Sequence, residues 1–288
     1  MRAPSTGLPG RPDSGRSVLT TSLGRPFRAV ARRVGIRRSG VAALRTRYER
    51  NVLATMPHRR PAATGRILCY HAVGSPEWGI NDISPARFRD QIELAAELGY
   101  RFVPAASVAH GSASAMDLAV TFDDGLISAA TNAAPILAER GVPWTMFIVG
   151  GWTEGRHPFG DGVIMGWAEV ERLLAAGVEI GSHSMSHPDF GSIAPDIARS
   201  ELTDSRRLIE GRTGRPVTSF AIPLGQSKNW SPDAAECAEE AGYEIVYAQS
   251  VTGRPAGTIP RTFITGIDDR RMFKAAIEGA FDEWEEWL

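Results

Sequence analysis

The 288 residues, 43% of them hydrophobic and 23% charged, can bury one large core, and the length allows one or two domains. No stretch is long and apolar enough to span a bilayer, and no uninterrupted apolar segment follows the early basic residues as a signal peptide requires. The net charge of -1 averages two unlike parts: residues 1–62 carry fourteen arginines against Asp13 and Glu49, a net +12, and the remainder carries -13.

The first two dozen residues are rich in Pro, Gly, Ser and Arg without a period and are expected to be disordered. Phe27, Val30, Val34, Val41, Leu44, Tyr48, Val52 and Met56 then recur at helical spacing among arginines. Such a basic amphipathic segment can lie on an anionic membrane, dock on a partner or bind nucleic acid, and packing as a solvated helix on the domain is an equal alternative to the membrane. The expectation is a basic arm over 1–62 with peripheral contact to an anionic membrane and no nucleic-acid partner, followed by a single domain over 63–288. Lack of an export signal points to a cytoplasmic protein, peripheral at the inner membrane surface.

From residue 66 strand-like and helix-like segments alternate. A strand at 67–71 precedes a helix opened by Ser84 and Pro85, with Phe88, Ile92, Ala95 and Leu98 as its buried stripe and Gly99 as its stop. Strands follow at 101–103 and 118–122, a helix at about 128–140, a strand at 144–149, a helix at 167–176 ended by Gly177, and a strand at 178–180. The alternation continues with helix 195–211, strand 218–222, helix 232–241 and strand 244–248. A last helix starts near 270, with Phe273, Ile277, Phe281, Trp284 and Leu288 on one stripe. Repeated units of this length demand parallel strands joined by right-handed crossovers. About seven strands can close a barrel or form an open doubly wound sheet, and periodicity does not decide between them. Cys69 and Cys237 read as packed thiols rather than a bridge or ligands.

Two stretches carry chemistry. The apolar run 118–122 ends in Asp123, Asp124 and Gly125, at the C-terminal end of a strand, where α/β folds bind ligands. Successive strand residues face opposite ways, so both carboxylates converge only if the strand breaks into a turn, which Gly125 permits. Asp-Asp-Gly is also ordinary turn chemistry. After strand 178–180 come His183 and His187, whose spacing puts both imidazoles on one face of a helical turn, as holding one metal ion requires. Two histidines and a carboxylate complete a common ligand set for catalytic zinc.

On Thr121-Phe122-Asp123-Asp124-Gly125 and His183-Ser184-Met185-Ser186-His187, the chain resembles the NodB-like polysaccharide deacetylases of carbohydrate esterase family 4. The resemblance extends from Ile67-Leu68-Cys69-Tyr70-His71 to Phe220-Ala221-Ile222-Pro223-Leu224-Gly225 and covers about 66–264. It implies an α/β fold, a distorted (β/α)7 barrel, and a metal-dependent hydrolase that removes N-acetyl groups from amino sugars of a glycan or glycan precursor. Asp124, His183 and His187 then look like ligands of one divalent ion, zinc first, with iron, cobalt or nickel able to fill the same set. Asp123 looks like the general base, and the Leu224 backbone N–H like the oxyanion donor. Many family members have an arginine where this chain has Ala221 and a tyrosine where it has Leu224, and Arg261 is a candidate replacement for the arginine. The family's C-terminal histidine also has no counterpart, since none follows His187, and His71 is the matching position for the general acid in members with Tyr-His near the first strand. A structural histidine at a strand end is the other reading of His71.

Trp152, Trp167 and Trp230 are candidates for a sugar-stacking wall, with core packing favoured for Trp167. His58, His110 and His157 read as surface residues. Two further functions compete with N-deacetylation: O-acetyl ester or other small-amide hydrolysis at the same site, and catalytically weak glycan binding.

Overall fold

In this computed structural model, which describes residues 38–55, 64–249 and 254–282, buried strands end one after another at a common rim. Strands β1 (Arg66–Tyr70), β2 (Asp117–Phe122), β3 (Trp144–Ile148), β4 (Glu179–Ser182), β5 (Ser219–Ala221) and β6 (Ile245–Ala248) run parallel, each paired with the next. Strand β7 (Ile259–Pro260) pairs with β6, and β8 (Thr262–Phe263) pairs with β1. The single stretch 259–263 therefore hydrogen-bonds to both edges and nearly closes the sheet into a barrel, the architecture that local periodicity left open.

The two-residue period of the strands builds two cores. Ile67, Ala119, Phe147, Ala221 and Tyr247, from five strands, cluster in the lumen. Their neighbours Leu68, Val120, Met146 and Phe220 join the core under the helices. Continuing the β1 alternation past Ile67 and Cys69 places His71 on the lumen side of the rim.

Besides short helical turns at Ala105–Ala109 and Gly150–Thr153, the helices among the described residues are α1 (Arg38–Leu53), α2 (Pro85–Glu97), α3 (Ala134–Ala138), α4 (Trp167–Ala175), α5 (Pro195–Thr213), α6 (Pro232–Ala241) and α7 (Arg270–Ile277). Side-chain caps fix several starts: Ser84 accepts from Arg87 N–H in α2, Ser231 from Ala234 N–H in α6, and Asp269 from Met272 N–H in α7. Two helices depart from expectation. Pro135 lacks an N–H, and the segment expected as one helix opens with a wide π turn, Ala129–Ala133, before α3. The last helix stops at Ile277, followed by Gly279 at φ 96°; Phe281 is still buried, while Trp284 and Leu288 lie outside the described residues.

The chain divides into two units, Met1–Ala42 and Ala43–Leu288, so the larger unit begins about twenty residues before the expected boundary. Within it, the buried face of α1 is Thr46 and Arg50, with Ala54 just beyond, whereas Leu44 and Tyr48 from the expected apolar stripe are 64% and 71% exposed. A polar contact sets this face. The fully buried Arg50 donates from Nε and Nη2 to Asp268 at 2.7 and 2.6 Å, and from Nη2 to the Phe263 carbonyl at 3.1 Å. Phe281 lies 4.0 Å from the same guanidinium. The rest of the expected arm, including Phe27, Val30, Val34, Met56 and His58, lies outside the described residues. No helix among the described residues is long and apolar enough to cross a membrane.

Candidate active site

At the C-terminal rim, β2 breaks into a turn because Asp124 and Gly125 both adopt left-handed backbone, at φ 71° and 72°. The turn brings both carboxylates to one place. Asp123 is held from below: Arg261 Nη1 and Nη2 donate to its two oxygens, each at 2.7 Å, and the Cys69 thiol lies 3.4 Å from Oδ2. Arg261 separates β7 from β8 and is 1% exposed, its guanidinium 5.3 Å from the Phe147 ring and 6.0 Å from the Tyr247 ring in the lumen. Burial alone would raise the Asp123 carboxyl, but the opposing charges of Arg261 and the neighbouring histidines outweigh it and hold that group well below the usual carboxylate range.

The two histidines do not sit on a helical turn. The segment after β4 is irregular, with Ser184 at φ 73° and His187 at φ 64°. Those dihedrals exclude a right-handed helix, and side chains hold the loop instead. Ser184 Oγ accepts from His187 N–H at 2.9 Å, and the Glu201 carboxylate of α5 accepts from the N–H groups of Met185 and Ser186 and from the Ser186 hydroxyl. The loop still points both imidazoles at Asp124: Oδ1 is 3.5 Å from His183 Nε2 and 3.4 Å from His187 Nε2. His183 Nδ1 lies 2.8 Å from the Ala221 carbonyl, which fixes Nδ1 as the protonated nitrogen and leaves the Nε2 lone pair facing the carboxylate.

One ligand atom from each of Asp124, His183 and His187 lies within 4.8 Å of the others. Burial pushes the Asp124 carboxyl up to about 6, pushes the His183 imidazole down to about 3, and lowers His187 as well, so both imidazoles are neutral. Asp124 Oδ1 is buried with no hydrogen-bond partner among the described residues, facing Nε2 of both imidazoles. A divalent cation is what this donor set fits. Cys69, His71 and Asp123 form a second such group, but Arg261 occupies both Asp123 oxygens and burial keeps the Cys69 thiol protonated. That group is poorly suited to a metal.

A cleft of about 390 Å³ opens over these residues. His71, Asp124, His187 and Leu224 line it, and Leu224, at φ 64° and 49% exposed, makes no backbone hydrogen bond through its N–H among the described residues. Asp124, Ser184, His187 and Leu224 are all the non-glycine residues of positive φ described, so the strained backbone is concentrated here.

Residues 110–246 match the family model described as polysaccharide deacetylase. A chitooligosaccharide deacetylase of Sinorhizobium fredii is 27% identical over 143 residues, 49% of this chain and 60% of the relative. A peptidoglycan-N-acetylglucosamine deacetylase of Listeria monocytogenes, PgdA, is 26% identical over 157 residues, 53% of this chain and 30% of the relative. The chain thus matches less than two thirds of the length of these curated relatives. The Streptococcus pyogenes deacetylase PplD, solved with acetate, superposes with a TM-score of 0.65 at 21% identity, covering 74% of this chain and 98% of that one, which supports the barrel fold.

All seven residues singled out from the sequence lie at the rim or directly beneath it, with His71 edge-on to Phe263 at 5.3 Å. Trp152 stacks on the His187 ring at 5.2 Å and lines the cleft. Trp230 packs instead on Phe190 and Phe220, and Trp167 donates to Glu154. His157 contacts the Phe159 carbonyl through Nδ1, and neither it nor His110 lines the cleft. Sequence reasoning missed Trp78, Asp189, Gln226, Lys228, Asn229 and Gln249 in the lining. Their one available signal is position, since each falls within a few residues of a strand end or of a motif.

Proposed function

We propose that this protein is a metal-dependent hydrolase that removes the acetyl group from an N-acetylated amino sugar of a glycan. The convergence of Asp124, His183 and His187 beside an Asp123 clamped by Arg261 carries this reading, together with the names of the curated relatives. When bound, a divalent ion, zinc by the chemistry of the donor set, supplies Lewis acidity and a place for water. The chain's own groups do the rest. Asp123, kept ionised by Arg261, takes the proton of the attacking water. The Leu224 N–H, which makes no backbone hydrogen bond among the described residues in a residue lining the cleft, donates to the oxygen that gains charge as the carbonyl becomes tetrahedral. His71, with Nδ1 buried and without a hydrogen-bond partner among the described residues, protonates the departing amine.

The test pairs metal content with acetate release. Wild-type protein should bind one equivalent of divalent metal and release acetate from N-acetylated oligosaccharides, and His187→Ala should lose both together. Full occupancy in His187→Ala would remove the ligand assignment. Release confined to O-acetylated sugars would replace the amidase reading with an esterase.

A further inference from the structure

We propose that Lys228 makes the cleft selective for anionic glycans, those in which a carboxylate or phosphate lies beside the acetylated amino sugar; the proposal rests on the deacetylase reading above. The chain has thirty arginines but two lysines. Lys274 pairs with Glu278 at 3.8 Å. Lys228 is exposed, lines the cleft, and forms no ion pair among the described residues, in a chain whose residues 63–288 carry a net -13.

The backbone beneath Lys228 is fixed while its side chain is free. It sits in a 3-10 turn, Ser227–Asn229, where Asn229 N–H bonds the Gln226 carbonyl at 3.0 Å and Asn229 Nδ2 donates to Asp189 Oδ1 at 3.0 Å. The Phe190 and Trp230 rings pack at 5.3 Å next to it, and a Cβ at Gly191 would overlap the Lys228 carbonyl oxygen. Asp189, the other charged side chain in this part of the lining, accepts from Asn229 and from Gly191 N–H. The result is an ammonium on a four-carbon stem, carried at the cleft by a hydrogen-bonded turn.

The two sides of the cleft differ in character. Trp78 and Trp152, both packed on Phe159, come from the loops after β1 and β3 and line the cleft with aromatic rings, one face of Trp152 being stacked on His187. Lys228 comes from the loop after β5, four residues past the Leu224 donor. A substrate stacked on the aromatic side thus presents its neighbouring substituent to a cation, which charge-assisted hydrogen bonding to an oxyanion would satisfy. A neutral glycan leaves that cation without a counterpart.

The experiment compares three oligosaccharides of equal length: a neutral N-acetylglucosamine oligomer, one bearing a carboxylate beside the acetylated sugar, and one bearing a phosphate there. The readout is the ratio of kcat/KM on each anionic substrate to that on the neutral one. Wild-type protein should favour an anionic substrate by about two- to fivefold, the range of an exposed ion pair, through KM rather than kcat, and less so at high salt. Lys228→Ala should bring the ratio to about one, Lys228→Glu should invert it, and Lys228→Arg should keep it. The anion whose ratio follows these variants identifies the substituent. A wild-type ratio of one, or a ratio unchanged in Lys228→Glu, overturns the proposal. Should no substrate release acetate, the deacetylase reading fails separately, and calorimetric binding of the same three oligosaccharides still decides: equal affinity of wild type and Lys228→Glu for the anionic ones overturns the selectivity, and a loss supports it.

Discussion

Among the described residues two arginine–aspartate pairs are fully buried and bidentate, Arg261 with Asp123 in the barrel lumen through Nη1 and Nη2, and Arg50 with Asp268 beneath α1 through Nε and Nη2. Both arginines are at most 1% exposed and both make two short bonds to the carboxylate. The surroundings differ. Asp268 is also engaged by Thr265 N–H and does not line the cleft described above, whereas Asp123 sits beside the unpartnered Asp124 Oδ1 and the neutral imidazoles. A buried ion pair by itself therefore says little about chemistry, and the neighbouring groups left without partners separate a reacting carboxylate from a structural one.

The comparison predicts opposite phenotypes. Asp123→Asn should leave metal content intact and lower kcat by about 10²- to 10⁴-fold, the range for loss of a general base. Near-normal turnover with normal metal would erase the distinction between the pairs. Asp268→Asn should instead cost stability, by about 3–5 kcal/mol for a buried charge left unpaired, with turnover per folded molecule within about tenfold of wild type. Chemical denaturation reads the first and active-site-normalised kinetics the second. A chain started at residue 64 lacks Arg50 and should lose stability to the same extent, while one started at residue 43 should not.

The third and smallest effect concerns pH. Arg261 holds the Asp123 carboxyl below its usual range against a burial that would raise it, so removing the cation must move that group upward. In Arg261→Gln the base should become protonated as pH falls through the raised value, shifting the acid limb of the kcat/KM profile upward by about one to three pH units. An unshifted acid limb would show that Asp123 owes its ionisation to something else. In the wild type, the stability that Asp123 contributes is present above the unfolded carboxyl pKa, about 4, and is lost as pH falls below it.

The elements that carry the site were largely legible because strand ends, caps and glycine stops are local signals. The turn at Asp124 and Gly125 follows from two carboxylates meeting a strand's end, and α2 and α6 start where Ser84 and Ser231 cap them. What escaped depends on partners far away in sequence. The Arg50 face of α1 is set by Asp268, so a hydrophobic period could not find it, and Leu44 and Tyr48 misdirected that reading. His183 and His187 have helical spacing, yet Glu201 and the positive φ values at Ser184 and His187 hold them in a loop. Trp78 and Lys228 carry no motif, and the cleft they line exists only once the loops after β1, β3 and β5 are assembled.

The stretch 259–263 joins β6 to β1 and carries Arg261 at its centre, which ties the placement of the proposed base to closure of the sheet. During translation every proposed metal ligand emerges well before Arg261, and the pairing of the adjacent β8 with β1 is the most distant strand contact in sequence among the described residues and so among the slowest to form. Until that last stave docks, Asp123 has no guanidinium to fix its two oxygens. Closing the barrel therefore both completes the sheet and orients the proposed base.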